Sequence, residues 1–467
     1  IVTPGEAEAT RFAADLNTLG IPAAVFPARD YVLRPIEGTA REYEYRRLAV
    51  LGELVGGRLR AVAVPAEALT QFTTPKEDFC ANTRTLHAGD TLLRDDLLAA
   101  LFGAGYTRRA QVDGPGQFSV RGDIVDIFAP DQKMPVRMEF WGDEIDTLHT
   151  FDLTTQRRED AIDKFYLSPA REVLFGKPAD AAEQLRAFLA KQRGKKKTAM
   201  ADCMAVDLDL LDGGAVPVNM DKYLAVRYPH PATVLDYFDD PILVAEEPAS
   251  IREADRATAY RRGEELKSLI LDGVLCAGLD NLYADPSYLW SKTGHYRTIC
   301  AENFARSMPD QPLKDIINAP AHTLPAWNGE VAGLLEDLKP LCDAGYTVTL
   351  LAGTDRAAAG LARDLRDKGI LVTTDAAAAP AAGLVQVLAG HLSAGCEFPF
   401  AKYALLTGRA FGETSSQKKK RKKAKDALNS LTEITPGDLV VHQNHGIGRY
   451  AGIQRMAVQG VTKDYLR

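Results

Sequence analysis

With 467 residues, 46% of them hydrophobic and 25% charged, the chain has the composition of an ordinary globular protein. That length gives apolar material for about three to five domains. The formal net charge of −7 argues against a surface given over to nucleic acid, leaving room only for a local basic patch. No apolar run approaches the ~18 residues of a membrane span. The start, Ile1-Val2-Thr3-Pro4, has no basic n-region and is no signal peptide; it reads as a strand already under way, with the N-terminus expected upstream.

Residues 1–89 alternate strand and helix. Ile1-Val2-Thr3 precedes a helix from Glu6 to Leu19, Ala23-Ala24-Val25-Phe26 is a strand, Ala40 to Val55 a helix, and Leu59 to Val64 a strand. This rhythm predicts a parallel α/β sheet. The character changes at about residue 90. A helix from Arg94 to Phe102 leads into four predicted strands, Gln117 to Val120, Ile124 to Phe128, Pro135 to Trp141 and Glu144 to Phe151, a compact α+β insert over 90–171. Residues 172–320 are mixed, with a helix from Ala181 to Lys191, a buried strand Pro241 to Ala245 and a long polar helix from Ser250 to Leu271. Residues 321–411 return to α/β, with strands Thr347 to Leu351, Val385 to Leu388 and Tyr403 to Leu406, and a helix from Thr354 to Asp367. The block Lys418-Lys419-Lys420-Arg421-Lys422-Lys423 has no apolar period, so 412–430 reads as a linker, either a solvated tether or a phosphate-tracking segment. From 431 to 467, turns at Pro436-Gly437-Asp438 and Asn444-His445-Gly446-Ile447-Gly448 separate short β runs, the pattern of a small twisted barrel.

Few residues have the arrangement that catalysis requires. Cys80, Cys203, Cys276, Cys300, Cys342 and Cys396 form no Cys-x-x-Cys, a pattern of free thiols in a reducing cytoplasm rather than of a zinc site. His442 and His445 have no third ligand nearby. A phosphate-binding loop needs Gly-x-x-x-x-Gly-Lys-[Ser/Thr], so that backbone N–H groups can wrap the phosphates. No stretch fits; before Gly194-Lys195-Lys196, Leu189 stands where the first glycine belongs. Asp143-Glu144-Ile145-Asp146 spells a helicase acidic box with no such loop before it.

Two stretches carry a family resemblance. The first is Arg121-Gly122-Asp123-Ile124-Val125-Asp126-Ile127-Phe128, continued by Pro135 to Ile145 and by Phe151-Asp152 with Gln156-Arg157. It is similar to the insert domain of UvrB and of the bacterial transcription-repair coupling factor family, Mfd. The second is the run from Pro436 through Leu439-Val440-Val441-His442, His445-Gly446-Ile447-Gly448 and Tyr450 to Lys463-Asp464-Tyr465-Leu466. It closely resembles that family's RNA-polymerase-interacting module. Because the chain stops inside this module, it is expected to be a piece of a larger protein.

The resemblance implies a multidomain α/β architecture. A UvrB-like parallel-sheet module (1–89 and 172–320) would hold the inserted α+β domain, followed by the small α/β domain and a partial SH3/Tudor-like β-barrel. It implies UvrA as partner of the insert, through Arg121, Arg137 and Trp141. It implies the β subunit of RNA polymerase as partner of the tail, through Gln454, Met456 and Val458. Strand alternation independently puts Val136, Met138 and Phe140 on one face and Arg137, Glu139 and Trp141 on the other. Arg121, Arg137 and Trp141 are thus expected on solvent-facing sides, as an interface hot spot or as solvated arginines beside a Trp folded over an apolar edge. Met456 either contacts the polymerase or fills the barrel core. Glu246-Glu247-Pro248 looks like a relic of a magnesium-holding motif, or supplies acids to a helix start. The family's ATP-driven double-stranded-DNA motor lies beyond these residues, so no cofactor, metal or ATP hydrolysis is expected of this stretch. Two rivals are a UvrB-type ATPase and damage binder, and a stand-alone polymerase-binding regulator.

Overall fold

The structure is a computed structural model. It describes the chain apart from residues 37–40, 305–312, 325, 328–330, 380, 409–438, 443–445, 450–452, 459–460 and 467, and for 293 and 439–466 it describes the backbone alone. The expected linker 412–430, the turn Pro436 to Asp438 and His445 lie outside the described residues. Two compact units emerge, residues 1–13 with 22–308, and residues 14–21 with 309–467.

The first unit is built on a five-stranded parallel sheet in the order Arg297–Ala301, Ile242–Glu246, Val2–Thr3, Ala61–Pro65, Ala23–Val25. Ala61–Pro65 reads Ala-Val-Ala-Val-Pro and is buried along nearly its whole length, as a strand covered on both faces must be. Phe26, Leu48, Leu51, Val62, Val64, Phe79 and Leu243 fill the core around it. A second apolar core gathers Leu185, Met200, Met204, Leu211, Leu224 and Leu279. It is organised by the helix Gly194–Asp212, an element the sequence reading does not assign.

Three chain regions meet at a buried ion network. Arg29 donates to both carboxylate oxygens of Asp221, at 2.7 and 3.1 Å. Arg47, 0% exposed, donates Nε–H to Glu172 at 2.6 Å and Nη1–H to Gln71 at 2.9 Å, and stacks 4.1 Å over the Phe26 ring. Glu44 accepts from the Glu172 amide at 3.0 Å. Burial works to raise its pKa, but Arg29, Arg41 and Arg171 together hold it down to about 2.

The insert is tied at its neck. Arg84–His87, where the chain enters, pairs antiparallel with Lys164–Leu167, where it leaves. Between them a six-stranded sheet runs in the order Arg158–Ala161, Glu144–Phe151, Val136–Trp141, Ile124–Phe128, Gln117–Arg121, Thr107–Arg108. The helix Arg94–Gly103 supplies Leu97 and Leu101 to one face, against Phe118, Val125, Ile127, Met138 and Leu148. Asp143 to Asp146 belong to the turn and first residues of a hairpin, so the helicase-box spelling has no helicase-like setting.

In the second unit, Tyr403–Thr407, Thr347–Leu351, Val385–Leu388 and Val372–Thr373 lie parallel, and Gly395–Phe398 and His322–Leu324 extend the sheet antiparallel. The helix Asp355–Asp367 buries Ala358, Leu361, Ala362 and Leu365, spaced to share one face, and starts at Thr354, whose hydroxyl accepts from the Ala357 amide at 3.3 Å. In the tail, Leu439–His442 pairs with Gly446–Arg449, and Ile453–Val458 with Val461–Leu466. Among the described residues these are two separate two-stranded ladders, so the expected barrel is present here only as its hairpins.

Candidate functional site

The face of the inserted sheet turned away from the helix Arg94–Gly103 carries the residues singled out in the sequence. The register aligns Ser119, Asp126, Arg137 and His149 across four strands, and two residues further along it aligns Arg121, Ile124, Glu139 and Thr147. Side chains directly opposite on neighbouring strands share a face, so these rows lie on one side of the sheet and are polar apart from Ile124. A bulge between Glu139 and Phe140 precedes the last pair, Trp141 opposite Glu144. The turn after it passes through Gly142 at φ 64°, a conformation that suits glycine.

Trp141 stands 83% exposed at the end of its strand, with the hairpin turn beside it. This favours the exposed-aromatic alternative over a ring folded onto an apolar edge. Arg121 is half exposed and donates Nη2–H to Asp126 Oδ2 at 2.6 Å.

Arg137 corrects the sequence reading. It points to the expected face but is only 9% exposed. Its Nε and Nη2 grip Asp126 Oδ1 and Oδ2 at 2.7 and 2.9 Å, Nη1 donates to the Gln156 carbonyl at 3.1 Å, and the guanidinium lies 4.8 Å from the Phe151 ring centre. Its hydrogen bond to Asp126 raises the Arg137 pKa. Alternation gives the side of a strand but not what covers it. Here Val112, Phe128, Phe151 and Leu153 form a small apolar cluster on the outer face, and the loop carrying Gln156 closes over the arginine.

Asp126 is the residue that sequence reasoning missed. It is fully buried and holds both arginines, one by a bidentate fork and one by a single bond. The available signal was its place on the strand between those of Arg121 and Arg137, but the register that joins them is not written in any one strand alone. A second pair, Arg158 with Glu139, borders the same surface. Together the face offers one fixed, partly exposed guanidinium, a charged rim and an uncovered indole. This is chemistry suited to gripping a protein surface.

The other sequence candidates are engaged elsewhere. Glu246 Oε1 accepts from Arg11 at 3.0 Å, and Glu247, at φ 50°, accepts from the Asn303 amide and side chain at 2.8 and 3.0 Å while starting the helix Pro248–Leu271. Among the described residues no group of three or more His, Cys, Asp or Glu is arranged to hold a metal. No described helix is long and apolar enough to cross a membrane. In the tail, Gln454, Met456 and Val458 lie on the strand Ile453–Val458, opposite Tyr465, Lys463 and Val461.

Residues 85–173 match the UvrB interaction domain, and residues 434–467 match the CarD-like/TRCF RID domain. Fold and family matches place the chain in a class, multidomain α/β proteins with a stretch similar to the UvrB interaction domain set within a parallel-sheet host and a second similar to the CarD-like/TRCF RID domain. Within that class the chain is a relative of the transcription-repair-coupling factors. It is 27% identical to that of Bacillus subtilis, over 100% of this chain and 41% of the relative. It is 26% identical to that of Staphylococcus haemolyticus and 25% to that of Staphylococcus aureus MRSA252, each over 95% of this chain and 38% of the relative. The chain thus spans about two fifths of the length of these curated relatives.

Proposed function

We propose that this chain is the recruiting part of a transcription-repair coupling factor. The insert, residues 90–171, binds UvrA through its outer sheet face, with Trp141 and Arg121 in contact and Arg137 holding the face in shape. The tail, residues 431–467, binds the β subunit of RNA polymerase through the strand carrying Gln454, Met456 and Val458. That strand is paired on one side only among the described residues, which suits strand addition by a partner. The complete protein is an ATP-dependent translocase on double-stranded DNA that displaces stalled polymerase. The motor is contributed by sequence other than these residues.

The observation that carries this reading is the 83% exposed Trp141 beside the Arg121–Asp126–Arg137 cluster. Large aromatic and arginine side chains on an otherwise polar sheet are the usual anchors of a protein interface. The test is calorimetric titration of UvrA into the chain without nucleotide. Saturable binding is expected, weakened by about 1–2 kcal/mol or more in Trp141→Ala and in Arg121→Ala. Unchanged affinity in both variants would falsify the assignment of this face. For the tail, Met456→Asp should abolish capture of the polymerase β subunit while leaving UvrA binding intact; capture that persists sinks that half of the reading.

A further inference from the structure

A cavity of about 150 Å³ runs along the helix Pro248–Leu271 in the first unit, far in sequence from the insert. One wall is a stripe of that helix, Asp255, Ala259, Arg262, Gly263 and Leu266, at the spacing that puts side chains on a common face. The opposite wall holds Thr70, Tyr283 and Ala284, tied together where the Ala284 amide donates to the Thr70 carbonyl at 2.7 Å. The hollow is written in the sequence of the helix. Ala259 and Gly263 put little side chain into the gap, and a Cβ added at Gly263 would meet nothing within 4 Å.

Floor and rim differ in kind. Asp255, Arg262 and Thr70 are more than nine-tenths buried, whereas Ala259, Gly263, Leu266 and Tyr283 are only half-buried. The cavity thus leads from a largely apolar rim down to polar groups. Two of those groups are already engaged. Arg262 donates to Thr70 Oγ1 at 2.9 Å and to the Glu67 carbonyl at 2.7 Å, and its charge is offset by the Glu67 carboxylate at 3.8 Å and by the face of Tyr283. Asp255 has no such support. Its Oδ2 has no hydrogen-bond partner, and among the described residues no cation forms an ion pair with it. A buried carboxylate without donor or counterion calls for both from outside the chain. Water can supply a donor but no charge.

We propose that this cavity binds a small organic cation, a primary ammonium on an apolar body of about four or five carbons. The ammonium pairs with Asp255 at the floor, and the apolar body lies against Leu266, Ala284 and the Tyr283 ring. Asp255 supplies the charge selection, and the short side chains of Ala259 and Gly263 supply the room. The electrostatics agree with this geometry. Burial pushes the Asp255 carboxyl up to about 7, with Arg262 moderating the rise, so at pH 8 it is ionised and gains from a counterion.

The test is calorimetric titration of isobutylammonium chloride into the whole chain at pH 8 and constant ionic strength, with isobutanol as the neutral analogue of the same shape. Saturable one-to-one binding of isobutylammonium is expected, about tenfold or more tighter than that of isobutanol. Asp255→Asn keeps the shape of the floor and removes its charge, and should weaken binding of the cation by about tenfold or more. Gly263→Leu fills the hollow from the helix side without altering the carboxylate, and should remove binding. Circular dichroism checks that each variant is folded. Absence of saturable binding to the parent chain, equal affinity for isobutanol, or unchanged affinity in either folded variant overturns the proposal.

Discussion

Asp255 sits on the helix Pro248–Leu271 against a cavity of about 150 Å³ that Thr70, Arg262, Leu266 and Tyr283 also line. It is 4% exposed, and its Oδ2 has no hydrogen-bond partner in the structure. Arg262 instead donates to Thr70 Oγ1 at 2.9 Å and to the Glu67 carbonyl at 2.7 Å, and lies 4.1 Å from the Tyr283 ring centre. Burial therefore dominates, and the Asp255 carboxyl is pushed from 3.8 up to about 7, with Arg262 only moderating the rise. The native state then holds a proton between those two values that the unfolded chain has released. Stability is fully present below pH 3.8, falls as pH rises through about 7, and is level above that. Reduced for the water that reaches the cavity, the linkage leaves about 1–3 kcal/mol. Asp255→Asn should be more stable than the parent by that amount at pH 8, with the gap closing toward pH 4. Urea denaturation at the two pH values measures it, and a gap independent of pH would refute the account.

At the scale of elements, periodicity was a good guide where one face is cleanly apolar. The strands Ile124–Phe128, Thr347–Leu351 and Val385–Leu388 have the limits that their alternation and turn signals predict, and Glu6–Thr18 and Asp355–Asp367 differ from their predicted helices by one residue at an end. The helix Gly194–Asp212 was hidden for a physical reason. Its buried line is Met200, Met204, Asp207 and Leu211, so a charged residue interrupts the apolar stripe, while Val206 and Leu210 sit exposed on the other side. Only the partners of Asp207, namely Lys222, Tyr223 and Asn219, make that burial tolerable, and they come from outside the helix. The helix Val331–Asp343 was masked by Pro340, which stands in its last turn. The candidate site was legible in the same partial way. Alternation gave the face that Arg121, Arg137 and Trp141 share, but the buried carboxylate that fixes two of them depends on register, which comes from the assembled sheet.

At the scale of the molecule, the first unit is clasped by Arg29, Arg47, Glu172 and Asp221, contributed by the first α/β stretch, the exit of the insert and the segment beyond it. Removing one member leaves a buried charge without its counterion, a loss of about 3–5 kcal/mol. Arg47→Met should lower the urea midpoint of the first unit accordingly, and Arg47→Met with Glu172→Leu should restore part of it; equal loss in both would refute the clasp. The parallel pairing of Val2 with Ala245 has a different kind of consequence, one of timing. The centre of the host sheet cannot close until a strand more than two hundred residues later has been made, whereas each long ladder of the insert joins neighbours in sequence. Loop closure makes the distant pairing slow and the local ones fast. Pulsed hydrogen exchange during refolding should protect the amides of Met138 and Leu148 before those of Val64 and Ala245, and the reverse order would contradict this. On the ribosome the outer face of the insert, proposed above as the binding face, would thus be finished first, an island of native structure waiting for the domain that carries it.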